Sequence, residues 1–267
     1  MIDIHNHIIP QFDVGSTSWE ESLEMLRQSA EDGITDVIAT PHILDENDFN
    51  RDKELLSKFT ELQTRAKKAG IHVQLHLGCE VYAHPDMQLE KSFATLNNNG
   101  KYFLVEFPMN TVPVFIPETF FNFALDGKIP IIAHPERNLN IIKDPQQAYD
   151  FVQRGALLQI NAGSLHGIFG QSAKKIAELM MNANLVHFIA SDAHSSNTRN
   201  PKLRATYELV IQKWGQEKAT KIFFENPQKV LEGKKIVTSD PIAFENLKDN
   251  KKGLLNLFSK YIRKTTG

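Results

Sequence analysis

Short apolar runs alternate with longer helical patterns along this chain, and almost every run ends in a histidine or an acidic residue. Ile2 to Ile8, Ile34 to Ala39, Ile71 to Leu77, Tyr102 to Phe107, Ile129 to Ala133, Ala156 to Ile160 and Val186 to Ala190 read as seven strands. Ser18, with Glu21 three residues on, opens a helix through a capping-box pattern, and Gly33 follows its end. Arg51 to Ala69, Met87 to Leu96, Pro117 to Leu125 and Ala173 to Met181 also read as helices. Asp144 and Pro145 form an N-cap and N1 pair opening a further one that ends before Gly155. Seven βα units without a Gly-x-Gly-x-x-Gly fingerprint favour a parallel (β/α)7 barrel over an open doubly wound sheet. In a barrel the strand ends share one face, so the polar residues there would converge.

Those residues are His5 and His7 on the first strand, His42 after the second, Glu80 after the third and Glu106 on the fourth. His134 closes the fifth strand, Asp192 and His194 follow the seventh, and Asp13 lies in the loop after the first. His5 and His7, two apart on a strand, point to the same side and can grip one ion, and Asp192 and His194 repeat the spacing. Any one of these taken alone is more simply a satisfied polar residue. Together they are five histidines and four carboxylates, more donors than one tetrahedral ion needs, and carboxylates gathered without cations are costly to bury. Two or three divalent ions are the economical reading, with Glu80 and Glu106 as bridges. Four carboxylates against three such ions leave a local charge of +2, which favours an anion such as a phosphate ester. Arg137 and Arg199, in the loops beyond His134 and His194, suit phosphate oxygens. A hydroxide held between ions would then attack phosphorus while the arginines stabilise the transition state.

Composition narrows the alternatives. Of 267 residues, 41% are hydrophobic and 23% charged, which excludes a disordered chain. The net charge of −2 supplies no basic field for nucleic acid. It is uneven: residues 251 to 267 carry +5, leaving −7 for residues 1 to 250. The expected organisation is one barrel domain over 1 to 250, then a basic amphipathic segment over 251 to 267. Leu254, Leu255, Leu257, Phe258, Tyr261 and Ile262 give that segment an apolar stripe suited to packing on the barrel, or to peripheral contact with an anionic membrane. No transmembrane run and no targeting segment is visible, so a cytoplasmic location is expected. The single cysteine, Cys79, rules out a disulfide framework and fits a reducing compartment. A Cys-x5-Arg phosphatase loop would need Arg where Pro85 stands, so Cys79 is expected to be a small buried neighbour of Glu80.

The segments IDIHNH, ATPH, GCE, VEFP, AHPERN and SDAH, in that order over about residues 1 to 235, resemble the polymerase and histidinol phosphatase (PHP) superfamily. More narrowly they resemble its bacterial tyrosine-protein phosphatases of capsular and exopolysaccharide synthesis. The resemblance implies a distorted (β/α)7 TIM-like barrel with a trinuclear centre. Manganese is the first expectation, with iron, zinc or magnesium as alternatives. The implied substrate is the phosphotyrosine tail of a bacterial tyrosine autokinase. Carried across, it implies His5, His7, Glu80 and Asp192 at one ion, Glu80, Glu106 and His134 at a second, and Asp13, His42 and His194 at a third. Arg137 and Arg199 match phosphate-contacting arginines. The sequence departs in one place, with Asp13, Val14 and Gly15 where the family has Asp-Asp-Gly, and Asp13 is taken as the retained ligand.

The nearest rival is a phosphatase of a small metabolite such as histidinol phosphate, which a substrate panel separates. A metal-dependent amidohydrolase would also begin with His-x-His, but commonly bridges its metals through a lysine where this chain has Glu106 and Pro108. A catalytically silent module would be signalled by lost ligands, and all nine candidates are present. His72, His76, His84, His166 and His187 read as structural or exposed, and Phe115, Phe120, Phe121 and Phe123 as core.

Overall fold

The computed structural model describes residues 1 to 247, so the basic segment 251 to 267 and the boundary expected at residue 250 lie outside it. The strands are β1 (Ile2–Asn6), β2 (Asp36–Ala39), β3 (His42–Ile43), β4 (Gln74–Leu77), β5 (Glu80–Tyr82), β6 (Tyr102–Glu106), β7 (Ile129–Ala133), β8 (Leu157–Asn161) and β9 (Val186–Ala190). All pair in parallel, in one ladder of order β1-β2-β4 and a second of order β3-β5-β6-β7-β8-β9. Thr40 and Pro41 separate β2 from β3, and Gly78 and Cys79 separate β4 from β5. Hydrogen bonds from the Gly78 N–H to Ala39 O (2.9 Å) and from the Glu80 N–H to Pro41 O (3.0 Å) carry the pairing across both breaks. Nine segments are therefore seven staves, as the alternation of apolar runs implied. The seam between β9 and β1 is held by one bridge, Asn6 to Ala193, so the ring is a distorted barrel without a continuous closing ladder.

Burial on both faces explains why these strands read as unbroken apolar runs. Tyr102 and Leu104 of β6 and Ile131 and Ala133 of β7 join one buried cluster. The intervening Phe103, Val105 and Ile132 join the larger cluster that includes residues of the surrounding helices. The first face turns polar at its carboxyl end: Leu104 is followed by Glu106, Leu157 by Gln159 and Asn161, and Ala190 by Asp192. An apolar plug thus fills the barrel beneath a polar rim.

Local expectations fared unevenly. Ser18 caps the helix Trp19–Glu31 by accepting the Glu21 N–H, but the Glu21 carboxylate turns to Thr17 rather than back to Ser18. Asp144 precedes the helix Gln146–Gln153 without a side-chain cap bond. The helix expected over Met87 to Leu96 does not form: the stretch is turns and bends, leading into a single turn of 3-10 helix at Leu96–Asn98. Leu89, Phe93 and Leu96 have helical spacing, yet Leu89 and Phe93 are buried in the core from turns and irregular backbone and Leu96 from the start of that 3-10 turn. Asn97 and Asn98 then take left-handed conformations that a helix cannot continue. Phe120 is buried and Phe115 and Phe123 pack on the core, whereas Phe121 is exposed.

Asp3 secures the weak seam. Its fully buried carboxylate accepts the Ser191 N–H at 3.0 Å, the Ser191 hydroxyl at 2.6 Å and the Asn6 side-chain amide at 3.0 Å. Asp3→Ala removes these acceptors and leaves the Ser191 N–H buried and unpaired. Urea unfolding of the variant should show a loss of about 2–4 kcal/mol.

Candidate metal centre

The carboxyl ends of the staves bring eight of the nine expected donors together. His5, His7, Glu80 and Asp192 lie deepest and are fully or almost fully buried. His5 Nε2 lies 3.1 Å from Glu80 Oε2 and 3.6 Å from Asp192 Oδ1, and His7 Nε2 lies 3.3 and 3.5 Å from the same two oxygens. Toward the opening, Glu80 and Glu106 are spanned by two imidazoles. His134 Nε2 is 3.0 Å from Glu80 Oε1 and 3.6 Å from Glu106 Oε1, and His42 Nδ1 is 3.1 Å from Glu80 Oε2 and 3.6 Å from Glu106 Oε2. His7, His42 and His194 form a further group of ring nitrogens within 4.8 Å of one another.

Asp13 stands behind this cluster. Its Oδ2 meets His7 Nδ1 at 2.7 Å and accepts the His42 N–H at 2.9 Å, while Oδ1 accepts the Gly15 N–H at 3.0 Å. The sequence reading placed Asp13 on a third ion beside His42 and His194, but here its oxygens serve His7 and the loop. The cause is the tight return of the chain over β1: a Cβ on Gly15 would fall 2.1 Å from His7 O, and Ser16 N–H donates to that same carbonyl at 3.0 Å. Val14 is 73% exposed and takes no part.

Two residues that sequence reasoning missed fix the protonation of the cluster. Asp192 Oδ2 can only accept, so Asn161 Nδ2 donates to it at 2.6 Å. Asn161 Oδ1 then accepts from Gln159 Nε2 at 2.9 Å, which leaves Gln159 Oε1 to accept from His5 Nδ1–H at 2.8 Å. The Asp13 carboxylate likewise holds the proton on His7 Nδ1. With those Nδ1 positions fixed, the two Nε2 atoms face each other 3.1 Å apart, and in the deprotonated form that a metal requires each would offer its lone pair to the same space. Glu80 Oε2 and His42 Nδ1, in the same space, are buried with no hydrogen-bond partner. Lone pairs converging on unpaired anionic oxygen are stable only around a cation, so the donor set fits divalent metal. Their signal in the sequence was their parity with Leu157 on β8, which puts both on the face that carries the site.

The electrostatics agree. Burial pulls His7 and His134 down, but hydrogen bonds to carboxylates raise both: His7 through Asp13, Asp192 and Glu80, His134 through Glu80. Burial and the adjacent Glu80 carboxylate push Glu106 up to about 7. Burial and neighbouring His7 bring His194 down to about 3, leaving a neutral ring. His134 and Asp192 both adopt left-handed backbone, at φ 31° and 50°, strain that the surrounding bonds sustain to aim these side chains.

The two arginines lie at the rim. Both guanidiniums pair with Asp192 Oδ2, Arg137 at 3.0 Å, so this carboxylate faces the histidines with one oxygen and the arginines with the other. Phe169, also absent from the sequence reading, lies flat beneath them, 4.2 Å from the Arg137 guanidinium and 5.7 Å from that of Arg199. Cys79 is fully buried and its thiol is pushed up by burial and by Glu80, which removes it as a nucleophile.

Comparison with known proteins agrees with this architecture. Residues 1–232 match the family described as "Capsular polysaccharide synthesis, CpsB/CapC". Tyrosine-protein phosphatase YwqE of Bacillus subtilis is 36% identical over 243 residues, covering 90% of this chain and 95% of that protein. A putative tyrosine-protein phosphatase, CapC of Staphylococcus aureus, is 34% identical over 248 residues, 91% of this chain and 93% of its own. Among solved structures, one from a study of YwqE and of CpsB from Streptococcus pneumoniae, described as unique metal-dependent tyrosine phosphatases, superposes with a TM-score of 0.84 at 35% identity. It covers 91% of this chain and 98% of that one. At 10% identity, the phosphotriesterase homology protein of Escherichia coli shares the fold with a TM-score of 0.52. The match over 1–232 and the identities above 30% show that this chain belongs to the CpsB/CapC family of capsular polysaccharide synthesis.

Proposed function

We propose that this chain is a metal-dependent protein-tyrosine phosphatase that acts in the cytoplasm on the phosphotyrosine tail of a tyrosine autokinase controlling capsular or exopolysaccharide synthesis. The observation that carries the reading is the convergence of His5 and His7 lone pairs on the unpaired Glu80 oxygen, beside two arginines. His5, His7, Glu80 and Asp192 hold one divalent ion, and Glu80, Glu106 and His134 a second. His42 and His194 offer a third position, of imidazole character because Asp13 is engaged with His7. Manganese is the proposed metal.

When bound, the ions supply a hydroxide at neutral pH and Lewis acidity toward phosphoryl oxygen. The residues of the chain do the rest. Arg137 and Arg199 present planar donors to the phosphoryl oxygens and hold the ester against the centre. Phe169 limits the swing of both guanidiniums. Gln159 and Asn161 keep His5 in the tautomer that leaves Nε2 free. Tyrosine's phenolic oxygen, with an unperturbed pKa of about 10, leaves with modest protonation, and the site needs no strong general acid.

A phosphotyrosine peptide and histidinol phosphate, assayed with manganese and after exhaustive chelation, test this reading beside elemental analysis. The expected result is hydrolysis of the peptide, its loss on chelation, and two firmly held ions with a third lost at low metal. Activity that survives chelation, or a strong preference for histidinol phosphate, would overturn it.

Gln159→Leu keeps every metal-contacting atom but frees the His5 ring. Metal titration should show affinity weakened by about 10–100-fold, with folding retained. Gln159→Glu, which still accepts from Nδ1, should lie closer to the parent protein.

Protons compete with metal here, because His7, His134 and Glu106 are all raised in the metal-free protein and bind protons below their shifted values. A cation needs them deprotonated, so apparent affinity should rise with pH through the Glu106 value of about 7. Between pH 8 and 6, metal titrations should weaken by about tenfold per unit for each proton released. A flat profile would contradict the assignment.

A further inference from the structure

At the opposite end of the barrel from the donors, where β9 begins at Val186, lies a cavity of about 250 Å³. Its wall includes His187 of β9, Trp214, Lys218 and Lys221 from the helical stretch beyond it, and Val237 on the chain that follows. Lys218 is partly buried, and its ammonium donates to two neutral acceptors, Met181 O and Asn184 Oδ1, both at 2.8 Å. No acidic side chain pairs with it among the described residues: Glu217, which also lines the cavity, pairs with Lys221 of the same wall at 3.4 Å. Burial without a counter-ion pulls the Lys218 pKa down.

His187 adds a second unused donor. Its Nδ1 accepts the Leu158 N–H at 3.1 Å, so the ring proton sits on Nε2, which is buried with no hydrogen-bond partner. Burial, opposed only by the Leu185 backbone, pushes the ring down to about 4 and keeps it neutral. Among the described residues, the cavity therefore has a cation without a paired anion, a third ammonium N–H, and an imidazole nitrogen with no acceptor in hydrogen-bond geometry. Trp214 and Val186 supply apolar patches in a wall that also carries the side chains of Asn226, Thr238 and Ser239. A ligand that satisfies this balance is rich in acceptors, negatively charged, and small.

We propose that this cavity is a binding site for a small phosphate-class oxyanion, inorganic phosphate or a phosphate monoester, with Lys218 as its counter-charge and His187 Nε2 as a hydrogen-bond donor. It is separate from the arginine-lined rim at the other end of the strands. The chain has two tryptophans, Trp19 and Trp214, so Trp19→Phe leaves Trp214 as the sole reporter in the cavity wall. Titrating that protein with inorganic phosphate, and separately with glucose 1-phosphate, should give a saturable change in emission that chloride at equal ionic strength does not reproduce. The tighter of the two ligands identifies the free ion or the ester as the occupant. Lys218→Met in the same background should weaken the response at least tenfold while leaving phosphotyrosine hydrolysis unchanged. If that variant does not fold, Val237→Trp, at a rim position 71% exposed, blocks the mouth without touching the buried groups; read by calorimetry, it should abolish the remote site. No saturable response, or one that persists in the substituted protein, means that the cavity holds water only and overturns the proposal.

Discussion

Two imidazole Nε2 atoms held 3.1 Å from each other are what the rest of this molecule is arranged around. A proton or a cation between them makes that proximity favourable, and the protein sustains it by fixing the far nitrogen of each ring. Asp13 acts on His7 and Gln159 on His5, and the strand fixes the spacing of the two residues. Each support has a support of its own. Gly15 must lack a side chain for the loop to fold back over His7, and Asn161 must point its amide nitrogen at Asp192 for Gln159 to have an oxygen free. The tautomers are thus set by a chain of donors and acceptors that begins and ends at carboxylates and admits one polarity.

The barrel supplies the rigidity this arrangement needs. Beneath the polar rim the same strand faces carry Ile131, Leu104 and Phe188, all fully buried, so the donors stand on a packed floor. The seam between β9 and β1 is the weak point of the ring, yet Asp192 and His5 lie on either side of it. Two hydrogen bonds, from the Asp192 N–H to His5 O at 3.0 Å and from the His7 N–H to Ala193 O at 2.9 Å, join the two segments beside the cluster, and Asp3 bonds to Ser191 below. A looser ladder allows left-handed backbone at Asp192, which a continuous strand would forbid.

Much of this was legible in the sequence because two signals coincided: apolar runs of strand length, and a metal-binding residue type closing nearly every run. Strands such as Ile129–Ala133 and Val186–Ala190 coincide with their apolar runs, since burial on both faces leaves no polar residue to blur the ends. The segment Met87 to Leu96 misled for the converse reason. Its apolar spacing records contacts with the core, and spacing does not say whether the intervening backbone is hydrogen bonded as a helix. Gln159 and Asn161 were invisible as site residues because neutral amides have no metal-ligand signature, and their importance arises only from what they face. Asp13 was recognised as part of the site, but its bond to His7 was not foreseen, since it depends on the close approach of Gly15, a contact across the loop that residue order does not reveal.

Asp192 joins the two halves of the chemistry. One oxygen faces the histidines and the other carries Arg137, Arg199 and Asn161, so the groups suited to a cation and those suited to a phosphoryl anion meet on one carboxylate. A cation held beside Oδ1 would weaken the hold of Oδ2 on the guanidiniums and so leave them better donors to an anion. Substituting Asp192 therefore cannot separate binding of metal from binding of phosphate. Gln159 and Phe169 can, because one bonds the ring of His5 and its amide partner, and the other stacks on the arginines. The division of labour in this site is carried by residues that themselves hold neither ion nor ester.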